Sequence, residues 1–281
     1  MKKVVLVTGA SSGFGKGTAL ELLKKGYVVY GAARRVKKME DIKRAGGHVL
    51  HMDVTDEKSV NDGVSKIINE EGKIDIVYAN AGYGISGTVF DTEVDMVKAM
   101  YDVNVHGTHR TINAVIPHMI KQNSGRIIIT ESIVSNVAGG YMGWYASTKH
   151  ALKAMSNALT AELKDLNIDV VSIRPGAVKT EFDDVALADK NLPNPTAEIA
   201  NDQKGFILYM KDSYKTCPDA TSTVKCMVKA AEAKKPKRIY NTTKDAKMLP
   251  ALQSMIGEKA LGKMMAGACQ SRYRKYVKTG K

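Results

Sequence analysis

Val4-Val5-Leu6-Val7 opens the chain as an apolar run, and comparable runs recur at 27–32, 49–52, 74–79, 127–129, 168–173 and 238–240. Runs this short, apolar nearly throughout rather than on alternate residues, are the pattern of strands buried on both faces. Between them the spacing changes to a helical period, near 16–25, 57–71, 93–122, 144–166 and 218–233. Seven such strands alternating with helices predict an α/β doubly wound fold, a seven-stranded parallel sheet covered on both sides. No linker or repeat interrupts the alternation, so residues 1–281 read as a single domain. Two stretches stand outside it. The segment 181–214, with Pro193, Pro195 and scattered charge, is where a substrate loop or lid would sit, and 243–281 reads as a basic helical C-terminal extension.

Composition changes this picture only where charge is located. The chain is 44% hydrophobic and 25% charged, ordinary for a globular protein with a sizeable core. No apolar run is long enough to span a bilayer, and the first strand begins too soon after Met1 for a signal peptide, so the expected localisation is cytoplasmic. Cys217, Cys226 and Cys269 are far apart and odd in number, which argues against a disulfide framework. His48 and His51, three apart on a strand, point to opposite faces, and no histidine has a convincing acidic or cysteine partner, so no metal site is expected. The formal charge of +13 is uneven: residues 215–281 hold 16 Lys+Arg against 4 Asp+Glu, leaving 26 against 25 for the first 214. A solvated helix face is the preferred reading of that excess. Peripheral membrane contact is the lesser alternative, and nucleic acid is not expected.

Candidate chemistry begins at the turn after the first strand. Gly9, Gly13 and Gly15 in Thr8-Gly9-Ala10-Ser11-Ser12-Gly13-Phe14-Gly15 allow a sharp turn and close approach of a ligand, and free amides at the following helix start favour a pyrophosphate. A triphosphate-binding loop is excluded by spacing, because Ala10 and Gly17 stand where that motif needs Gly and Ser or Thr. Further along, Tyr145-Ala-Ser-Thr-Lys149 places a phenol and an ammonium one helical turn apart. An ammonium at ~4 Å across an effective dielectric of ~20 favours the phenolate by ~4 kcal/mol. The phenol is therefore expected to titrate near neutral pH and to serve as a general acid/base.

Taken together, Thr8-Gly9-x-x-x-Gly13-x-Gly15, Asn80-Ala81-Gly82, Asn104, Ser132, Tyr145-x-x-x-Lys149 and Pro175-Gly176-x-x-x-Thr180 stand in the order and spacing of one family. Over residues 4–180 the chain resembles the classical short-chain dehydrogenases/reductases. Beyond Pro218-Asp219 it is similar, less specifically, to the 17β-hydroxysteroid dehydrogenase-like and retinol dehydrogenase-like branch. It departs from the family pattern at Ala79, Phe14 and Glu131, and the carboxylate of Glu131 beside the site has no explanation in the sequence.

The resemblance implies a Rossmann domain and a hydride-transfer oxidoreductase interconverting a small-molecule ketone or aldehyde with an alcohol. It implies that Tyr145 is the acid/base, that Lys149 lowers its pKa and holds the nicotinamide ribose, that Ser132 hydrogen-bonds the substrate oxygen, and that Asn104 holds a water for proton relay. The implied cofactor contacts are Gly9, Ser11, Ser12, Gly13, Phe14, Gly15, Asp53, Val54, Asn80, Ala81, Gly82, Pro175, Gly176, Val178 and Thr180, beside Tyr145 and Lys149. At the end of the second strand Ala32-Ala33-Arg34-Arg35 offers two guanidiniums and no carboxylate. That favours NADP(H) over NAD(H), with Arg34 the first contact and Arg35 the second.

Substrate-lining residues are expected in 83–90, 133–144 and 181–214, and Ile133, Val134, Val137 and Trp144 favour a lipophilic substrate such as a steroid or retinoid. By analogy with the family, the helices at 93–122 and 144–166 are expected to build a homodimer or homotetramer. Two other readings stand beside the enzyme: an NADP(H)-sensing regulatory protein on the same fold, and attachment to an anionic surface through the basic tail.

Overall fold

The computed structural model describes residues 2–187, 196 and 199–279. Its first half runs β1 (Val4–Thr8), α1 (Gly13–Lys24), β2 (Val28–Ala33), α2 (Glu40–Arg44), β3 (His48–His51), α3 (Glu57–Glu71), β4 (Ile76–Ala79), α4 (Val94–Tyr101) and α5 (Gly107–Gln122). The second runs β5 (Gly125–Thr130), α6 (Gly143–Glu162), β6 (Ile168–Arg174), α7 (Glu181–Ala186), α8 (Ala200–Thr216), α9 (Thr221–Glu232), β7 (Ile239–Asn241), α10 (Lys244–Ile256) and α11 (Glu258–Thr279).

The seven strands form one parallel sheet in the order β3-β2-β1-β4-β5-β6-β7. Successive side chains on a strand face opposite ways, and the sheet divides its apolar residues accordingly. Leu6, Val77, Ile127 and Ile129 pack with Val64, Ile112 and Leu152 of α3, α5 and α6. Val5, Val7, Ile128 and Val171 pack with Ala19, Leu22, Val224 and Met227 of α1 and α9 on the other face. This two-sided burial explains why the strands read as continuous apolar runs. The order reverses between β1 and β4, which opens a crevice at their C-terminal ends.

Arg126 fastens one helix to the sheet. It is buried at the start of β5, donates through Nη1 to the carbonyls of Ala230 and Ala231 at 2.6 and 2.8 Å, and pairs with Asp169 at 2.7 Å. A cation on the last carbonyls of α9 meets the negative end of that helix.

Two expected features differ. The stretch 93–122 is helical from Val94 to Gln122 but not uniformly α: a π-helical turn at Asp102–His106 joins α4 to α5. Such a turn spaces its hydrogen bonds i to i+5 over only five residues, too short a stretch for the apolar period to reveal it. The segment 181–214 is also more regular than a loop. It contains α7 and nearly all of α8, while residues 188–195, 197 and 198 lie outside the described residues.

Because Ile128 is fully buried in a central strand, Ile128→Ala should lose about 2–5 kcal/mol of stability. Denaturant unfolding will measure that loss.

Candidate active site

The crevice is a cleft of about 820 Å³. One end is built by the β1–α1 turn. Gly9 and Gly13 have φ of 68° and 53°, in the left-handed region, and a side chain on Gly9 would strike the Ala81 backbone at 2.9 Å. Ser12 precedes α1 without capping it through its side chain, and the first turn holds no acid. The positive end of the helix is thereby left open beside the cleft, suited to an anionic group. Ser11, Ser12, Gly13 and Phe14 line the cleft. Gly15, expected among the cofactor contacts, does not: its Cα faces the Gly9 carbonyl and the Asn80 amide, which a Cβ would approach to 2.6 and 2.7 Å. Its smallness serves the packing of the turn.

Thr8 and Asn80 hold that turn against the sheet. The Thr8 hydroxyl accepts from the amides of Asn80 and Ala81 at 3.0 and 3.2 Å, and the Asn80 side chain donates to the Thr8 carbonyl at 3.0 Å. Thr130 of β5 donates to Asn80 Oδ1 at 3.0 Å, so one asparagine spans three strand ends. Asn80, Ala81 and Gly82 all border the cleft.

Arg34, Arg35, Asp53 and Val54 line the same end. Arg34 was the expected first contact of the pair, but Arg35 is the one seated on the turn, donating to Ser11 at 3.0 Å and Ser12 at 3.1 Å. The Arg34 side chain is 66% exposed and reaches Asp53 at 3.8 Å. Asp53 accepts from the amide and hydroxyl of Thr55 at 3.0 and 2.8 Å, and its carboxyl stays below its ordinary range although burial opposes this.

Pro175, Gly176, Val178 and Thr180 form the opposite lip. Asp245, at the start of α10, accepts from the Ala177 amide at 2.8 Å and fills the space beside Gly176, where any Cβ would collide with its carboxylate.

At the centre, α6 brings Tyr145 and Lys149 to the cleft, with the ammonium 5.8 Å from the phenol ring centroid. Ser132, two residues past β5, lines the cleft with the phenol. Lys149 Nζ donates to the Thr130 carbonyl at 2.8 Å. Gly82 packs against the Asn104 side chain, whose Oδ1 a Cβ there would approach to 3.1 Å. Asn104 does not line the cleft. It is fully buried in the π turn behind it, its side chain donating to the Tyr83 carbonyl at 2.8 Å and accepting from the Tyr83 amide at 3.0 Å.

The expected titration of Tyr145 near neutrality is not what this environment gives. Burial pushes the phenol well above its ordinary range, and the Ser132 side chain only partly offsets that. Lys149 is itself buried, and the cost of desolvating its charge brings it down to about 8, against the pull of Glu131 in the other direction. An effective dielectric of ~20 is that of charge pairs near a surface. Here both groups are out of water and desolvation is the larger effect.

Glu131, unexplained by the sequence, is the hub of a buried network. One carboxylate oxygen accepts from Arg174 Nε at 2.6 Å, the other from Ser156 and Ser172 at 2.7 and 2.5 Å. Glu131 and Arg174 are almost completely buried, and they join the ends of β5 and β6 that carry Ser132 and Pro175. The backbone repeats the tie, with the Ile133 amide donating to the Pro175 carbonyl at 2.7 Å.

The remaining wall is apolar. Ile133 and Val134 line it as expected; Val137 and Trp144 do not, and Trp144 instead donates to the Val89 carbonyl at 3.0 Å. Met142, Phe182, Met210 and Tyr214 complete the wall, with the Phe182 ring 5.3 Å from that of Tyr145. The readable signal for the α8 pair is Phe206, Met210 and Tyr214 at intervals of four, one face of a helix in a segment otherwise taken as loop.

Two stability measurements follow. Unfolded, Lys149 keeps its proton to about pH 10.4; folded, it releases it near 8. Between those values the unfolded chain binds more protons, so the contribution of Lys149 to the unfolding free energy rises with pH. In Lys149→Met that rise should be absent when denaturant unfolding is compared across the window. Glu131→Ala strands a buried guanidinium and should cost about 3–5 kcal/mol, much of it recovered by adding Arg174→Met. A loss below about 1 kcal/mol would mean that the pair is not the tie described.

The family model described as short chain dehydrogenase matches residues 3–191. Among curated proteins, 3-ketodihydrosphingosine reductase of Bacteroides thetaiotaomicron is 34% identical over 209 residues, 74% of this chain and 75% of that one. Dehydrogenase/reductase SDR family member 7B of Xenopus tropicalis is 34% identical over 193 residues, 64% of this chain and 62% of that one. A Streptomyces avermitilis short-chain dehydrogenase shares the fold at 24% identity, with a TM-score of 0.79 over 92% of this chain and 96% of its own. An alcohol dehydrogenase of Thermococcus sibiricus, solved with 5-hydroxy-NADP, is 26% identical with a TM-score of 0.68, covering 86% of this chain and 95% of its own. The family match runs from before β1 to past β6, and on it the chain belongs to the short-chain dehydrogenase family, whose chemistry is NAD(P)-dependent oxidoreduction.

Proposed function

We propose that this protein uses NADP(H) to interconvert a lipophilic ketone or aldehyde and its alcohol, with Tyr145 as the acid/base. The observation that carries the reading is the placement of Tyr145, Ser132 and Lys149 between the open start of α1 and the apolar wall of Val134, Phe182 and Met210. The cofactor fits the first end: a glycine turn with an uncapped helix suits a pyrophosphate, and two arginines beside it suit a further phosphate.

When bound, the nicotinamide supplies or takes up the hydride. In the reducing direction the Tyr145 hydroxyl gives its proton to the substrate oxygen while Ser132 donates a hydrogen bond to the same atom. Lys149, buried beside the phenol, stabilises the negative charge that develops on it as the proton leaves. Burial keeps the phenol in the protonated form that this direction starts from. Asn104 acts from behind, fixing the Tyr83 backbone and the α4–α5 junction.

The apolar wall supports a lipophilic substrate, with steroids, retinoids and long-chain 3-keto compounds the classes to try. The last is suggested by the relative named as a 3-ketodihydrosphingosine reductase. Homo-oligomerisation through α4 is supported by the exposed Val94 and the shallow groove it forms with Val97 and Tyr101.

Tyr145→Phe should cut kcat by roughly 100- to 10,000-fold while NADPH binding, followed by fluorescence, changes little; near-normal turnover in that variant would remove the assignment. Arg34→Asp should shift the ratio of kcat/KM for NADPH over NADH towards NADH by roughly tenfold or more, and an unchanged ratio would take Arg34 out of cofactor selection.

A further inference from the structure

The excess of positive charge in residues 215–281 is organised. Along α11, Leu261 and Cys269 are buried, and Cys269 and Tyr273 press against Gly205 of α8, with 2.7 Å from a Gly205 Cβ to the Cys269 carbonyl. Tyr273 donates to Asn201 at 2.7 Å, and Lys204 lies 4.8 Å over the ring of Tyr276. These contacts fix which side of α11 faces the body of the protein. Lys259, Lys263, Arg274 and Lys278 fall on the opposite side by helical spacing, and all four are exposed. The one acidic residue of α11, Glu258, lies off that face, and none of the four cations has an ion pair among the described residues.

The preceding helix adds apolar groups to the charge. Lys244, Lys247, Met248 and Met255 share the outer face of α10, with Met248 67% and Met255 82% exposed. The phosphates of a nucleic acid would reward the lysines and leave those methionines in water. An acidic lipid surface takes both, the cations at the headgroups and the apolar side chains just below them. No described helix is long and apolar enough to cross a membrane, so such attachment would be to the surface.

We propose that the outer faces of α10 and α11 dock this protein on the surface of an anionic lipid bilayer. Both helices are fastened to the body of the protein: Gln253 of α10 donates to the Asn136 carbonyl at 3.0 Å, Met265 of α11 lies against Gly139, and α11 is bound to α8, which puts Met210 and Tyr214 into the cleft wall. The docking surface does not rest on the substrate reading above.

The test is co-sedimentation of the full chain with phosphatidylcholine vesicles, with and without phosphatidylglycerol, and no substrate present. Binding is expected only to the anionic vesicles, weakened on the order of a hundredfold by Lys259→Ala/Lys263→Ala/Arg274→Ala. Met248→Ser/Met255→Ser should weaken it as well, at unchanged charge. Both variants should keep wild-type circular dichroism and turnover of a water-soluble carbonyl. Absence of binding to either vesicle, binding untouched by both variants, or a salt-sensitive complex with nucleic acid in place of vesicles would overturn the proposal. Intact vesicle binding together with failure on every lipophilic carbonyl would sink the substrate reading alone.

Discussion

A lysine ammonium held out of water is the constraint around which the centre of this molecule is arranged. Lys149 is nearly fully buried, and a charge there is tolerated only if dipoles and counter-charge replace the solvent it has lost. The Thr130 carbonyl supplies a dipole at 2.8 Å, and Glu131, the next residue along the same strand end, adds a negative field. The lysine and its partners come from separate elements, α6 and the end of β5. The sheet topology that makes strand ends converge at one crevice is therefore the precondition for the electrostatics.

Glu131 shows how one demand generates another. Its carboxylate, buried for whatever benefit it gives Lys149, itself requires compensation, and Arg174 with two serine hydroxyls provides it. Arg174 closes β6, one residue before the Pro175-Gly176 lip, which is held from the other side by Asp245 at the head of α10. A chain of polar contacts and backbone thus runs from the centre of the cleft to the C-terminal extension. The extension is not a separate appendage in energetic terms, because its first turn occupies the space that shapes the cleft.

Much of this was legible in the sequence, and the failures have identifiable physical causes. Strands such as Val4-Val5-Leu6-Val7 are buried on both sides and announce themselves as apolar runs, and the glycine turn reads from Gly9, Gly13 and their context. Ser132, Tyr145 and Lys149, expected together from their spacing, border one cleft because one strand end and one helix bring them there. The interrupted helix around Asn104 was missed because a π turn shifts hydrogen bonds, not composition. Phe182, Met210 and Tyr214 lie in the expected lining segment 181–214 but are not singled out by it, because prolines and charge there obscure the four-residue spacing of Phe206, Met210 and Tyr214. The direction of the Tyr145 shift was misjudged because a sequence shows who the neighbours are but not how much water is left between them.

The π turn at Asp102–His106 carries a consequence for how this fold can vary. It holds one residue more than an unbroken α-helix would need, and each helical residue turns the chain by about 100°. Removing a single position there would restore a regular ladder and swing Asn104 away from the Tyr83 backbone it now clasps, while leaving every strand and the hydrophobic period of α5 as they are. Along this stretch the number of residues in the turn, more than the chemistry of its outer side chains, sets the direction in which Asn104 points.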